Sequence, residues 1–401
     1  MSLNNNVEQV KAIKTIDENV VVNAGAGTGK TKVLTDRYIE ILENGNLPKG
    51  REVESIVAIT FTNKATQEMI ERIRSLIESK TDQDDKWIRY FRDLEKANIS
   101  TIHGFCGDIL RENPIEAGID PYFEILDDVK GGRILYSTSY KVVNDYLDNN
   151  DRFIDFLKNQ KLDRIDSLSS DFVSLYNAIR TYSVTFDKIR KDTNDLLDSL
   201  EYSNLDIERI KEITLELIEK FTKRSKLVKF SETKEFNDFI NNTIDKDVYY
   251  YLEEIVNNLG TSKKEIELQN ELIERINKVM LSKELEYKWM YNLIIDIIER
   301  IDIEYTEEKR INGYLDYDDL QILVLKLLNN KEVLMKYQNK YKYFMIDEFQ
   351  DTNELQKQIF YKLTSVNQPL DRNNLFVVGD PKQSIYRFRG ADVDIFYDVM
   401  E

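Results

Sequence analysis

The chain has 401 residues, 41% hydrophobic and 32% charged, a composition that excludes a disordered polypeptide and suggests two or three domains. One Cys, Cys106, and one His, His103, exclude an intramolecular disulfide and any His cluster, and argue against a cysteine-built zinc site. The formal net charge of −17 argues against a nonspecific nucleic-acid binder, but it sits in the middle: residues 1–113 carry −2, 114–320 carry −15 and 321–401 carry 0.

The opening residues have neither a basic start nor an apolar core. No run of about 18 apolar residues occurs, so no membrane partner is expected. The expected location is a reduced cytoplasm. The first strand signal is the β-branched run at residues 20–22. It leads into Ala24 and then Gly25-Ala26-Gly27-Thr28-Gly29-Lys30-Thr31, followed by a helical pattern through about Glu43. Strand, glycine-rich turn, Gly-Lys-Thr and helix make a phosphate loop. Side chains at Gly25, Gly27 and Gly29 would obstruct backbone N–H groups that turn inward around phosphate oxygens. The helix adds its positive dipole end. Lys30 reaches the terminal phosphates and the Thr31 hydroxyl ligates Mg²⁺. Ala24 stands where the usual pattern has its first glycine.

A second apolar run lies at residues 56–59. The middle of the chain changes character. No proline falls between Pro121 and Pro369, and one glycine, Gly260, between Gly132 and Gly313. Apolar residues at helical spacing in 249–256 and 265–280 predict helices with a solvated acidic face. At 313–320 the acids of Gly-Tyr-Leu-Asp-Tyr-Asp-Asp-Leu read as helix caps, Asp316 or Asp318 being the candidate. Further apolar runs at 344–346 and 375–378 complete a buried parallel-strand pattern. The first of these ends in Asp347-Glu348. Asp347 would hold Mg²⁺ through water and Glu348 would polarise the attacking water. The fold expected is α/β: a P-loop, RecA-like parallel sheet with helices on both faces, plus a largely α-helical inserted domain. Its predicted limits are 1–113 and 306–401 for the ATP-binding domain and 114–305 for the insert.

Five stretches in this order resemble the motifs of UvrD-like superfamily 1 DNA helicases. Residues 9–13 resemble the adenine-reading Q motif, 58–65 motif Ia, 100–106 motif Ib, 347–353 motif II and 377–392 motif III. The forms at 101–106 and 386–389 look closest to the RecB and AddA branch of helicase–nucleases. The resemblance covers 1–113 and about 313–401, and the middle corresponds only in position to the family's inserted domain 1B. It implies that Gln9 reads adenine, that Lys32 stands where relatives often stack an Arg on the base, and that Gln383 senses the γ-phosphate. Gln350 and Asp351 would couple the nucleotide site to neighbouring motifs. Phe61, Thr62, Asn63, His103, Tyr386, Phe388 and Arg389 would line a single-strand path. Aromatic faces at Phe61, Tyr386 and Phe388 can stack bases at about 1–3 kcal/mol each, and this needs no global positive charge. Arg387, Arg389 and Lys382 add local charge.

The resemblance therefore implies the N-terminal motor half of an ATP-dependent DNA helicase, with ATP and Mg²⁺ as cofactors and single-stranded or junction DNA as partner. The family's second motor domain, with its phosphoryl-stabilising arginines, would follow residue 401. Two protein partners are thus expected: the C-terminal remainder of the same protein, and another component of a helicase–nuclease. Residues 1–401 alone are expected to be poorly active. The alternatives are a catalytically silent helicase-like scaffold that binds nucleotide or single-stranded DNA, and a P-loop ATPase acting on protein or RNA.

Overall fold

The apolar runs at 20–22, 56–59, 344–346 and 375–378 all lie in one five-stranded sheet of a computed structural model. The structure describes residues 6–25, 27–159, 164–182, 184–201, 203–241, 247–259, 265–384 and 393–400. The strands in chain order are β1 (Val20–Asn23), β2 (Ile56–Thr60), β3 (Asn98–Thr101), β4 (Glu124–Ile125), β5 (Tyr314–Leu315), β6 (Tyr343–Ile346) and β7 (Leu375–Gly379). The sheet order is β1-β7-β6-β2-β3 and every neighbouring pair is parallel. The short β4 and β5 pair separately, also in parallel.

Alternation along the strands explains why these runs are apolar throughout. Successive side chains point to opposite faces, so a strand covered on both sides has no solvent face to make polar. Val57, Ile59, Phe344, Ile346, Leu375 and Val377 belong to one buried cluster. Ile56, Ala58, Tyr343, Met345, Phe376 and Val378 belong to another. The first cluster is completed by helices α4 (Ile102–Glu112), α7 (Tyr317–Leu327) and α8 (Glu354–Thr364), the second by α1 (Val7–Lys14), α2 (Lys30–Asn44) and α3 (Asn63–Glu78). A slip of one residue in any strand would exchange the two sets, so the register is strongly specified.

The chain divides into two units, each considered by itself. One holds residues 1–150, 156–184 and 300–401, the other residues 151–155 and 185–299. Helix α5 (Ile165–Thr181) and the part of α6 (Lys288–Asn312) from Arg300 onward belong to the sheet-bearing unit. The other unit is helical among its described residues. Helices Asn204–Lys220, Val248–Leu259 and Ile266–Leu281 enclose a core of Ile210, Ile213, Leu252, Ile255, Leu272 and Ile276. The pattern matches the 3.6-residue spacing of apolar positions in the sequence. No helix among the described residues is long and apolar enough to cross a membrane.

All five carboxyl ends of a parallel sheet share one edge, where ligands of such folds sit. Gly379 closes β7 on that edge. A Cβ there would collide with Gln350 Oε1 and stand 2.8 Å from the Phe396 ring. Gln350 is 2% exposed and Phe396 0%, so neither can move aside into solvent. Gly379→Ala is therefore expected to cost about 1–3 kcal/mol in urea unfolding, as overpacking does. An unchanged midpoint would show that this edge is looser than described.

Candidate nucleotide site at the carboxyl edge of the sheet

The site begins where β1 ends. Ala24 N–H donates to Gly379 O at 2.9 Å, which ties the start of the loop to the end of β7. Gly27 and Gly29 have φ of 74° and 88°, a region in which a side chain would be strained. Gly29 is the N-cap of α2 and supplies no side-chain cap. The first N–H groups of α2 are thus left to whatever anion approaches. Thr28 Oγ1 donates to Gly25 O at 2.8 Å and folds the loop on itself. Ala26 lies outside the described residues.

Gln9 braces this loop. Its Nε2 donates to Thr28 O at 2.9 Å. Its Oε1 accepts from Asn6 N–H, and Asn6 Oδ1 accepts from Gln9 N–H, a reciprocal cap that fixes the side chain. Helix α1 is in turn fastened to its neighbours by Arg37 of α2. Arg37 Nη1 donates to Ala12 O at 2.5 Å and its guanidinium lies 4.3 Å over the Phe376 ring. Burial lowers the Arg37 pKa to about 10. Thr31 and Lys32 are half-buried in the first turn of α2.

The acids arrive from β6. Asp347 N–H donates to Ile59 O at 2.9 Å, which extends the β6–β2 ladder by one rung. The chain then turns at Glu348 through φ 50°, a conformation uncommon for a non-glycine residue. The turn brings Glu348 Oε2 to 2.7 Å from Lys30 Nζ. The Lys30 side chain is 11% exposed and Glu348 34%, so the pair is shielded on the lysine side. Gln350 Nε2 donates to the same Glu348 oxygen at 2.9 Å and to Asp351 Oδ2 at 3.2 Å. Gln350 Oε1 accepts from Asp380 N–H at 2.9 Å. Gln383 Nε2 donates to Asp380 Oδ2. One buried amide therefore links the acid turn after β6 to the loop after β7.

Burial, followed by the charge of Glu348, pushes Asp347 up to about 6; the Glu348 N–H and Lys30 pull the other way. Burial and Glu348 raise Asp351 as well. Asp380 is held below the usual carboxylate range by Gln383 and by the Lys382 N–H. Asp347 is thus a crowded carboxylate in want of positive charge. Thr31, in the first turn of α2 next to Lys30, offers a hard oxygen. Mg²⁺ takes one or two protein oxygens and completes its shell with water and phosphate. The donor set present fits that ion. No group of three or more His, Cys, Asp or Glu side chains among the described residues could hold a metal by itself.

The segments after β2 and β3 lie on the same edge. Phe61 is 37% exposed, and Thr62 and Asn63 beside it are exposed. Thr62 Oγ1 accepts from Ala65 N–H at 3.1 Å and caps α3, a structural duty the sequence pattern did not assign. His103, in the first turn of α4, is half-buried; its ring centroid is 4.7 Å from that of Tyr317, and its Nε2 is 3.2 Å from Gln321 Nε2. Cys106 is fully buried, and burial pushes its thiol pKa up. Tyr386, Arg387, Phe388 and Arg389 lie outside the described residues. Sequence reasoning passed over Tyr317 and Gln321. Tyr317 left one signal, an aromatic residue set among the acids at 316–319; Gln321 left none. The cap itself is Asp316, in a reciprocal box with Asp319.

The chain matches the model of the UvrD/REP helicase N-terminal domain over residues 5–401. It is 32% identical, over 97% of its length, to the A subunit of the ATP-dependent helicase/nuclease of Listeria monocytogenes serotype 4b (strain F2365) and covers 36% of that protein. It is 26% identical to the corresponding protein of Syntrophomonas wolfei over 98% of its length and 34% of the relative's. The match to that of Lactobacillus johnsonii is 29% over 97% and 36%. The chain thus spans about a third of the length of these curated relatives.

The raised Asp347 pKa fixes a pH dependence in protein free of divalent cations. The group's folded pKa, about 6, lies above its unfolded value, so its contribution is full below about pH 4 and is lost as pH rises toward 6. Asp347→Asn removes that loss. In urea unfolding the variant should gain stability relative to the parent between about pH 4 and pH 7. A difference independent of pH would contradict the crowding of Asp347.

Proposed function

The chain belongs to the UvrD/REP helicase N-terminal domain family, and from that premise we propose that it is the ATP-binding motor portion of a DNA helicase that travels along single-stranded DNA in repair or recombination. The observation that carries the reading is the 2.7 Å contact between Lys30 and Glu348. It joins a loop shaped for phosphate to an acid turn 318 residues away in sequence. The names of the relatives, each the A subunit of an ATP-dependent helicase/nuclease, extend the proposal: the whole protein is one component of a helicase–nuclease and works with a partner polypeptide.

In this reading residues 24–29 wrap the phosphates with backbone N–H groups, and the N-terminus of α2 adds its partial charge. Gln9 reads the adenine edge, and its bond to Thr28 O makes base recognition and loop shape one event. Lys32 offers its alkyl stem and charge beside the base. Lys30 exchanges Glu348 for the terminal phosphates. Glu348, released from the ammonium but still held by Gln350, accepts a proton at Oε2 from the attacking water. Thr31 and Asp347 would hold Mg²⁺, which when bound neutralises charge on the phosphates. Gln383 reports loss of the γ-phosphate through Asp380 and Gln350. Phe61, Thr62, Asn63 and His103, with Tyr386, Phe388 and Arg389, form the strand path, where bases stack on aromatic faces.

Two substitutions in the intact protein test the two halves of this reading. Lys30→Ala should cut DNA-stimulated ATP turnover by at least about 100-fold, the scale of losing one positioned charge-stabilising donor. Retained unwinding would favour a scaffold whose nucleotide site is idle. Phe61→Ala should weaken binding of a single-stranded oligonucleotide by about 1–3 kcal/mol with nucleotide affinity unchanged. Parent protein with no salt-sensitive affinity for single strands would point instead to a P-loop ATPase with another substrate.

A further inference from the structure

We infer that Arg180 and Lys309, which lie in no motif, are positioning residues for the single-strand path, acting through the first turn of α7 on Tyr317, Gln321 and His103. The inference rests on the DNA-tracking reading above and names the residues that would hold that path in shape.

The first turn of α7 is gripped from outside its own helix. Asp316 accepts from Arg180 Nη1 at 2.7 Å and Nη2 at 3.0 Å, from Lys309 Nζ at 2.7 Å, and from Tyr305 Oη at 3.1 Å. Asp319 accepts from Arg180 Nη2 at 2.7 Å and Lys309 Nζ at 2.5 Å. The same carboxylates cap the helix reciprocally: Asp319 N–H donates to Asp316 Oδ1 at 2.9 Å and Asp316 N–H to Asp319 Oδ2 at 3.0 Å. Two acids and two cations form a crossed set of ion pairs with side-chain exposures of 3–16%, and Asp318, whose carboxyl is pushed up chiefly by burial, adds a third acid beside them. Burial pushes Asp316 up, but Arg180 and Lys309 outweigh it and hold its carboxyl well below the usual range.

A crossed set of this kind does more to fix geometry than to add stability. Desolvating four charges cancels much of the attraction, whereas bidentate and crossed contacts leave one arrangement. What it fixes is the turn that carries Tyr317, between the two paired acids. Tyr317 is 39% exposed and its ring packs 4.7 Å from the His103 ring. One turn on, Gln321 Nε2 donates to Tyr317 O at 3.2 Å and stands 3.2 Å from His103 Nε2. The one amide nitrogen thus lies within hydrogen-bond reach of both the Tyr317 carbonyl and the His103 ring. Rotation of the α7 start would move the tyrosine and the amide together away from the His103 ring. Arg180 sits on α5 and Lys309 on α6, so two helices remote in sequence from every motif set the imidazole.

The test uses the intact protein, a fluorescein-labelled oligothymidylate read by anisotropy, and a fluorescent ATP analogue with Mg²⁺. Arg180→Met alone strands a carboxylate, so it is paired with the charge-balanced double variant Arg180→Met/Asp319→Asn and with Arg180→Lys. The double variant should weaken oligothymidylate binding about tenfold while nucleotide affinity stays within about twofold, as a displaced but folded site does. Arg180→Lys should recover part of the loss, because it keeps the charge and gives up the bidentate geometry. Oligothymidylate affinity within twofold of the parent in the folded double variant overturns the inference, and so does equal loss of both ligands. Parent protein that ignores the oligothymidylate, or Phe61→Ala that binds it undiminished, overturns the DNA reading itself and the inference with it.

Discussion

The Lys30–Glu348 contact is possible only because every strand of the sheet runs the same way. A parallel sheet delivers the ends of β1, β2, β3, β6 and β7 to one edge, whatever their separation in sequence. The loop after β1 brings an ammonium and the turn after β6 a carboxylate, and β7, lying between those two strands, brings the backbone that both lean on. Were β6 antiparallel, the acids would emerge on the opposite edge. The nucleotide reading is thus a consequence of strand direction before it is a consequence of any one side chain.

The edge is also where the fold accepts local strain. Glu348 sits in the left-handed region, Gly27 and Gly29 do likewise, and Gly379 leaves room that no larger residue could share with Gln350. Such positions cost of order 1–3 kcal/mol each where they are not glycine and persist because the surroundings fix them. Here the surroundings are two buried apolar layers, one on each face of the sheet. The rigidity of the core holds the loop glycines, the acid turn and the Gln350 bridge in register.

Much of this was legible in the residues. Four strands announced themselves as β-branched or apolar runs, because strands buried on both faces have no polar alternate. The glycine-rich turn at 25–31 and the Asp347–Glu348 pair stood out because the chemistry proposed for them tolerates few residue types. The strand at 98–101 did not, since its Asn-Ile-Ser-Thr run holds a single apolar residue, Ile99, which is also the only one of the four that is buried. The cap at Asp316 was visible as a choice between two acids, and the structure selects the one whose partner three residues on returns the bond. Arg180 and Lys309 were invisible. Periodicity and propensity report local geometry, and nothing local says that a lysine seven residues and an arginine 136 residues before Asp316 share its oxygens.

The most direct measurement is a double-mutant cycle on Mg-ATP affinity in the intact protein, with Lys30→Ala and Glu348→Gln made singly and together. If the two residues serve one phosphate site, as their contact requires, their effects will be coupled by about 0.5–3 kcal/mol. Effects that simply add would mean that the lysine and the glutamate act in separate places, and the account of this edge as a nucleotide site would fail.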